Sequence, residues 1–262
     1  MEIGQRVKDY WTQRSHDFGT VRKNELENEM GQRWLHEIER FLPEGRKLDI
    51  LDVGTGTGFF AVLLAQQGHR VEGIDLTPAM LEEARTLAKQ RNLDITFREM
   101  DAQNLAYPDD TFDVVISRNL TWTLPDPQRA YAEWFRVLKP GGVLLNFDAN
   151  WYRYLWDEDA QAAHTQDREN LQASDVRDET AGTDVDAMEA IARKTPLSKL
   201  HRPAWDLDVL RGLGMQAAAD TEVWKQVWTK EERINNASTP MFLVEGHKGG
   251  ESPLTMRYEL GQ

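Results

Sequence analysis

Hydrophobic positions along the chain fall into short apolar runs separated by longer amphipathic stretches. LDILDVG (48–54) is an apolar run closed by glycine and predicts a buried strand, and FFAVLLAQQG (59–68) predicts a helix with Gly68 as its stop. HRVEGID (69–75) predicts a second strand. Thr77 and Pro78 then supply an N-cap and a first-turn proline for a helix to about Gln90, with Leu81, Ala84, Leu87 and Ala88 as its inward stripe. DITFREMD (94–101) and TFDVVISRN (111–119) predict a third and a fourth strand. Asp126 and Pro127 repeat the cap and proline before a helix through Leu138, and KPGGVLLNFDA (139–149) turns into a fifth strand. Strands alternating with helices at this spacing form βαβ units with right-handed crossovers, hence an α/β fold with a doubly wound, mostly parallel sheet.

The flanks depart from that rhythm. Residues 1–42 read as helical and polar, with Trp34, Leu35, Ile38, Phe41 and Leu42 marking one apolar face before Pro43. After Asp148 the segment 150–200 has no clean strand pattern. A helix near 205–213, a strand near 215–224 and PMFLVEGHK (240–248) follow, bringing the expected sheet to seven strands. The expected organisation is an N-terminal helical lid (1–44), a core (45–149), a cap inserted after strand five (150–203) and a C-terminal completion of the sheet (204–262). In this fold ligands bind beyond the carboxyl ends of the strands, which is where such a cap would lie.

Composition narrows the chemistry. The 262 residues contain no cysteine, which removes thiolate nucleophiles, disulfides and Cys-ligated metals. No histidine spacing suggests a metal site. The formal net charge is -13, which disfavours a nucleic-acid partner. No apolar stretch approaches the length of a membrane span and the amino terminus has no signal-like pattern, so the expectation is a cytoplasmic protein away from membranes. The charge is local: between Asp157 and Glu189 stand eleven acids against two bases, a run read as a solvated, mobile helical face that is able to attract a cationic partner. Arg193, Lys194, Lys199, His201 and Arg202 follow directly and favour an anionic one.

The sharpest signal is DVGTGTG (52–58), set between a strand and a helix, with Asp75 closing the next strand. Glycines admit a ligand close to the backbone, the helix start offers N–H groups, and an acid ending the second strand accepts ribose hydroxyls. The spacing is G-x-G-x-G, and Asp52 two residues before the first glycine would repel a pyrophosphate but suit an ammonium. DVGTGTG, GIDLTPAML, EMDAQNLAYPDDTFDVV and VLKPGGVLL, in this order over about residues 45–147, resemble the motifs of class I S-adenosylmethionine-dependent methyltransferases. They are most similar to the small-molecule subgroup (methyltransferase type 11 domain) that includes the ubiquinone and menaquinone C-methyltransferases.

That resemblance implies a Rossmann-like methyltransferase fold and S-adenosylmethionine as cofactor, with S-adenosylhomocysteine as product. It implies that Asp52, Gly54, Thr55, Gly56 and Gly58 hold the methionine moiety and that Asp75 takes the ribose, with Leu76 and Met80 against the adenine. Asp101 and Ala102 would meet the adenine edge, Arg118 and Asn119 would close the methionine side, and Tyr10, in a lid-like segment YWTQRSHDF (10–18), would reach the methionine carboxylate. The competing readings are a nucleotide-linked oxidoreductase and a non-catalytic cofactor-binding module.

Methyl transfer asks chiefly for alignment and a dry site. The candidate acceptor walls are therefore aromatic: Trp11, Trp122, Trp151 and Tyr152, with Asn150 beside them. Trp34, Trp134, Trp224 and Trp228 read as packing residues. His16, Asp148 and His201 are the candidates for a general base. The absence of an Asn-Pro-Pro-Tyr signature at SRNLTW (117–122) favours a small-molecule acceptor; a homodimer is left open. Lid and cap are expected to become ordered when cofactor binds.

Overall fold

The computed structural model describes residues 3–249. Its elements in chain order are α1 (Ile3–Glu27), α2 (Glu29–Glu39), β1 (Asp49–Val53), α3 (Phe59–Gln66), β2 (Arg70–Asp75), α4 (Pro78–Gln90), β3 (Thr96–Glu99), β4 (Phe112–Arg118), α5 (Pro127–Val137) and β5 (Leu138–Asp148). There follow α6 (Glu158–Gln172), α7 (Val185–Ala192), α8 (Ala204–Gly212), β6 (Met215–Asp220), α9 (Trp224–Val227), α10 (Lys230–Asn235) and β7 (Phe242–Lys248). The seven strands form one sheet in the order β3-β2-β1-β4-β5-β7-β6, parallel except for β7, which runs antiparallel to both β5 and β6. The strand order reverses between β1 and β4, so their carboxyl ends open the crevice where this architecture takes ligands.

The apolar runs become the central strands because both sheet faces are covered. Val53, Ile50 and Leu51 on β1 and Val114, Val115 and Ile116 on β4 are fully buried. On one face Trp34 packs edge-on against Phe60 (5.2 Å) and Phe147 (5.1 Å), tying α2 to α3 and β5. On the other face Tyr131 and Trp134 of α5 are fully enclosed. Trp34, Trp134 and Trp228 are thus core residues, and Trp224 is packed partly buried against the same core.

Local departures from the sequence pattern have physical reasons. The polar amino-terminal run is helical and divides into two helices where the Asn28 side chain accepts from the Met30 N–H and caps α2. Thr77 stands at the N-cap of α4 without a side-chain cap bond; Asp75 accepts from the Thr77 N–H instead (2.8 Å). The last strand pair is shorter at β6 than the apolar pattern suggests, since α9 begins at Trp224.

The acidic run is not a uniform solvated face. Asp157 and Asp184 are the N-caps of α6 and α7, Asp167 is buried and accepts from the Ser238 N–H (2.8 Å), and Asp178 pairs with Arg168 (3.3 Å). Part of the local negative charge is therefore consumed in starting helices and in pinning this segment to the chain after α10. Among the described residues no helix is long and apolar enough to cross a membrane, and no group of three or more His, Asp or Glu side chains converges as a metal site.

Candidate active site

Above the carboxyl ends of β1, β2 and β4 lies a cavity of about 450 Å³. Its floor is the turn between β1 and α3. Gly54 has φ +69° and Gly56 φ +54°, conformations that a side chain disfavours, and a Cβ on Gly54 would come within 2.7 Å of the Leu120 side chain. Gly54→Ala is expected to destabilise the fold by roughly 1–2 kcal/mol through backbone strain and to push Leu120 into the cavity. Thermal unfolding reads the first effect and ligand titration the second.

The turn is held by carboxylates at either end. Asp52, almost wholly buried, accepts from Thr55 Oγ1 (2.6 Å) and from the Ala61 N–H (3.0 Å). Burial pushes its carboxyl up to about 7, the nearby Asp75 adding to the rise against the two hydrogen bonds. Asp75 accepts from the Gly56 N–H (3.0 Å) and the Thr77 N–H, and burial raises it as well. Between about pH 4 and 7 the empty folded site therefore keeps a proton on Asp52 that the unfolded chain, with its ordinary value near 3.8, has released; above that range the carboxylate is ionised and able to face an ammonium. This stabilising contribution is complete below about pH 4 and is lost as pH rises through 7, at up to ~1.4 kcal/mol per pH unit. Asp52→Asn keeps an acceptor for Thr55 and Ala61 and is expected to flatten the pH dependence of stability across that window. Denaturant titrations at several pH values check it.

The cavity brings together most residues expected to bind cofactor: Tyr10, Asp52, Gly54, Thr55, Gly56, Asp75, Leu76, Met80, Asp101, Ala102, Arg118 and Asn119 line it. Asp101 accepts from the Gln103 N–H, which bends the chain after β3 toward the cavity. Asn119 has a left-handed backbone (φ 55°); its carbonyl accepts from Trp122 Nε1 (3.1 Å), and its side-chain Oδ1 is buried without a partner. Gly58 is outside the lining; it is the N-cap of α3 with φ +87°, and a Cβ there would come within 3.0 Å of the Ala84 side chain of α4.

The aromatic candidates converge. Trp11, Trp122, Trp151 and Tyr152 all line the cavity, with Tyr152 tilted over Trp122 at 5.0 Å. Together with Val7, Tyr10 and Met188 they form an apolar cluster joining α1, the 121–123 turn, the 151–155 turn and α7. Tyr10 belongs to this aromatic end. Tyr152 has φ 64°, an uncommon backbone state for an aromatic residue, and burial raises its phenol above the ordinary range.

Other candidates are corrected by the structure. His16 is largely exposed and faces Glu83 (3.3 Å), because its side of α1 points away from the cavity. His201 is exposed and bonded to Arg153 (3.0 Å). Asp148 is fully buried, but its partners are Arg202 (2.7 Å) and Thr121. Asn150 exchanges hydrogen bonds with the Arg202 backbone, fixing two loops together. None of these four lines the cavity. Sequence reasoning missed Phe18 and Arg22 on α1, Leu120 and Met188, all of them in the lining. Their types are ordinary for a helix or a core; the tertiary path of α1 and α7 brings Phe18, Arg22 and Met188 to the site, and Leu120 reaches it from the turn after β4.

Strand order and glycine turn are those of a Rossmann-like methyltransferase fold. Residues 51–146 match the methyltransferase domain family. Over 102 residues the chain is 45% identical to the demethylmenaquinone methyltransferase of Deinococcus radiodurans, a match covering 37% of this chain and 42% of that protein. The chain thus spans less than half the length of this curated relative. Among solved structures, a chain of the complex between the Haloferax volcanii Trm112 methyltransferase activator and the putative methyltransferase superposes with TM-score 0.58. It is 18% identical, with 92% of this chain and 98% of that chain covered. The Haemonchus contortus phosphoethanolamine N-methyltransferase 2, solved in complex with S-adenosyl-L-methionine, superposes with TM-score 0.57 at 17% identity, covering 84% of this chain and 52% of that one. Both structures share the fold.

Proposed function

We propose that this protein is an S-adenosylmethionine-dependent methyltransferase acting on a small-molecule acceptor. The observation that carries the reading is the cavity built on the glycine turn between Asp52 and Asp75, with the aromatic cluster at its other end. The residues fit the cofactor. Asp75 stands where a ribose diol is accepted, Leu76 and Met80 offer apolar surface for a base, and Asp101 with the Ala102 amide offers an acceptor and a donor for its edge. The unpartnered Asn119 Oδ1 and Thr57 Oγ1, both in lining residues, are buried polar atoms of the kind a ligand satisfies. Asp52 and the backbone of Gly54, Thr55 and Gly56 suit an amino-acid ammonium.

When bound, S-adenosylmethionine supplies a methyl group on a sulfonium, open to in-line attack by a nucleophile. The chain's own part is to align and to dry the site. Trp11, Trp122, Trp151, Tyr152 and Met188 present a predominantly apolar wall, which suits an acceptor with a flat apolar face, such as the quinone-type ring in the name of the Deinococcus relative. Among the described lining residues the titratable side chains are three aspartates, two arginines and two tyrosines. The aspartates belong to the cofactor end, so the acceptor reacts without an imidazole or carboxylate base from the wall. The Tyr152 phenol, held protonated by burial, serves as a donor that orients an acceptor oxygen.

Helix α1 and the segment 150–203 act in this reading as lid and cap over the cavity, and the enzyme works in the cytoplasm without nucleic acid. A homodimer is checked by light scattering on the full chain. Calorimetric titration with S-adenosylmethionine and S-adenosylhomocysteine tests the reading directly: micromolar binding of both is expected, and binding of neither overturns it. Mass-spectrometric detection of methylated product across a metabolite panel then separates an enzyme from a non-catalytic binding module.

A further inference from the structure

Arg22 lies outside every motif of the cofactor-binding core, yet its side chain is mostly buried in the cavity wall. Its guanidinium stacks over Phe18 at 4.7 Å and pairs with Glu25. The other oxygen of Glu25 accepts from Arg118 Nη1 (3.0 Å) and from Trp34 Nε1 (2.8 Å). One carboxylate thus serves two guanidinium groups that both line the cavity, with Glu232 3.9 Å from Arg118 as a looser counter-charge. Glu232 and Glu179 also add negative charge near Arg22. Asp52, Asp75 and Asp101 stand at or just beyond the ends of β1, β2 and β3, whereas Arg22 comes from α1, which crosses the glycine turn, and meets Arg118 of the β4 end through Glu25. The Phe18 ring faces Gly56 there, and Gly19 faces Thr57.

We propose that Arg22 is the binding residue for the carboxylate of the cofactor's amino-acid end. This rests on the methyltransferase reading. A zwitterionic amino acid needs an anionic group for its ammonium and a cationic one for its carboxylate, and the turn carrying Asp52 lies directly beneath the helix carrying Arg22. Arginine offers a carboxylate paired, charge-assisted hydrogen bonds. Glu25 keeps Arg118 and Trp34 as donors when Arg22 turns to the ligand, so no buried acid is left without a partner. The contact also ties α1 to the occupied cavity.

The test compares S-adenosylhomocysteine with 5'-methylthioadenosine, which keeps the adenosine and thioether but lacks the amino-acid end. Calorimetry on the wild-type protein is expected to show preference for S-adenosylhomocysteine. Arg22→Met should weaken S-adenosylhomocysteine about 10- to 100-fold, as expected for loss of a charge-assisted pair, and leave 5'-methylthioadenosine unchanged. Arg22→Lys should recover part of the loss and serves as the comparison if Arg22→Met does not fold. Equal weakening of both ligands, or an unchanged affinity for S-adenosylhomocysteine, overturns the assignment. If the wild-type protein binds neither compound, the methyltransferase reading itself fails.

Discussion

Asp75→Ala is expected to weaken S-adenosylhomocysteine binding by about 100-fold, the equivalent of ~3 kcal/mol, because the two hydrogen bonds that the proposed function gives its carboxylate from ribose hydroxyls are lost together. The residue has a second duty. Its two oxygens also hold the Gly56 and Thr77 N–H groups, which fixes the glycine turn against the start of α4. Alanine releases both, so unfolding curves must accompany the titration. Asp75→Asn is the intermediate case, since its one amide oxygen still holds one of the two N–H groups while the charge and the other acceptor are gone; its affinity and its stability should both fall between those of the wild type and the alanine variant. Burial raises the Asp75 carboxyl, and the ionised form is the better acceptor. Wild-type affinity should therefore decline toward acid pH more steeply than that of Asp75→Asn, in which Asp52 is the one of the two buried carboxyls that still titrates. Full affinity in a folded Asp75→Ala protein would remove Asp75 from the ribose site and with it the basis for placing the cofactor on this turn.

The contrast between the two halves of the site explains how much of it is legible in the sequence. The cofactor end is built from residues close together in the chain, where Asp52, Gly54 and Gly56 belong to one turn and Asp75 ends the next strand. Local spacing carries that information, because a strand, a turn and a helix fix the positions of their own residues. The aromatic end is assembled from α1, the turns at 121–123 and 151–155, and α7, elements distant in sequence that meet only through tertiary packing. Tryptophan and tyrosine content pointed to Trp11, Trp122, Trp151 and Tyr152, whereas Arg22 and Met188 carry no such mark.

Asp148 shows the opposite failure. Its place at the exit of β5 suggested chemistry, but the chain supplies Arg202 from 54 positions away and encloses both side chains completely. The fold itself is more legible than the site because a seven-stranded sheet is dictated by apolar periodicity. The direction of β7, set by the connection through α9 and α10, is not contained in that periodicity.

Arg202→Met is expected to cost roughly 3–5 kcal/mol of folding stability, a fall in Tm of about 6–20 °C for a chain of this size. Arg202 is fully buried and donates from Nη1 to Asp148 (2.7 Å), from Nε to Asp206 (2.9 Å) and from Nη2 to Thr121 Oγ1 (2.7 Å). Tyr131 donates to Asp206 (2.6 Å), and Asn146 donates to Tyr131 (2.8 Å). One cation is thus the shared counter-charge of two carboxylates with no access to water, and methionine of similar volume leaves both uncompensated. If that is the cause, adding Asp148→Asn and Asp206→Asn to Arg202→Met should restore much of the stability, since the buried acids are then neutral. A triple variant no more stable than Arg202→Met would instead assign the loss to packing. The network also holds Thr121, next to Trp122 in the turn that lines the cavity. The triple variant should therefore keep S-adenosylhomocysteine affinity, which depends on the glycine turn, while acceptor KM rises as the aromatic wall loosens.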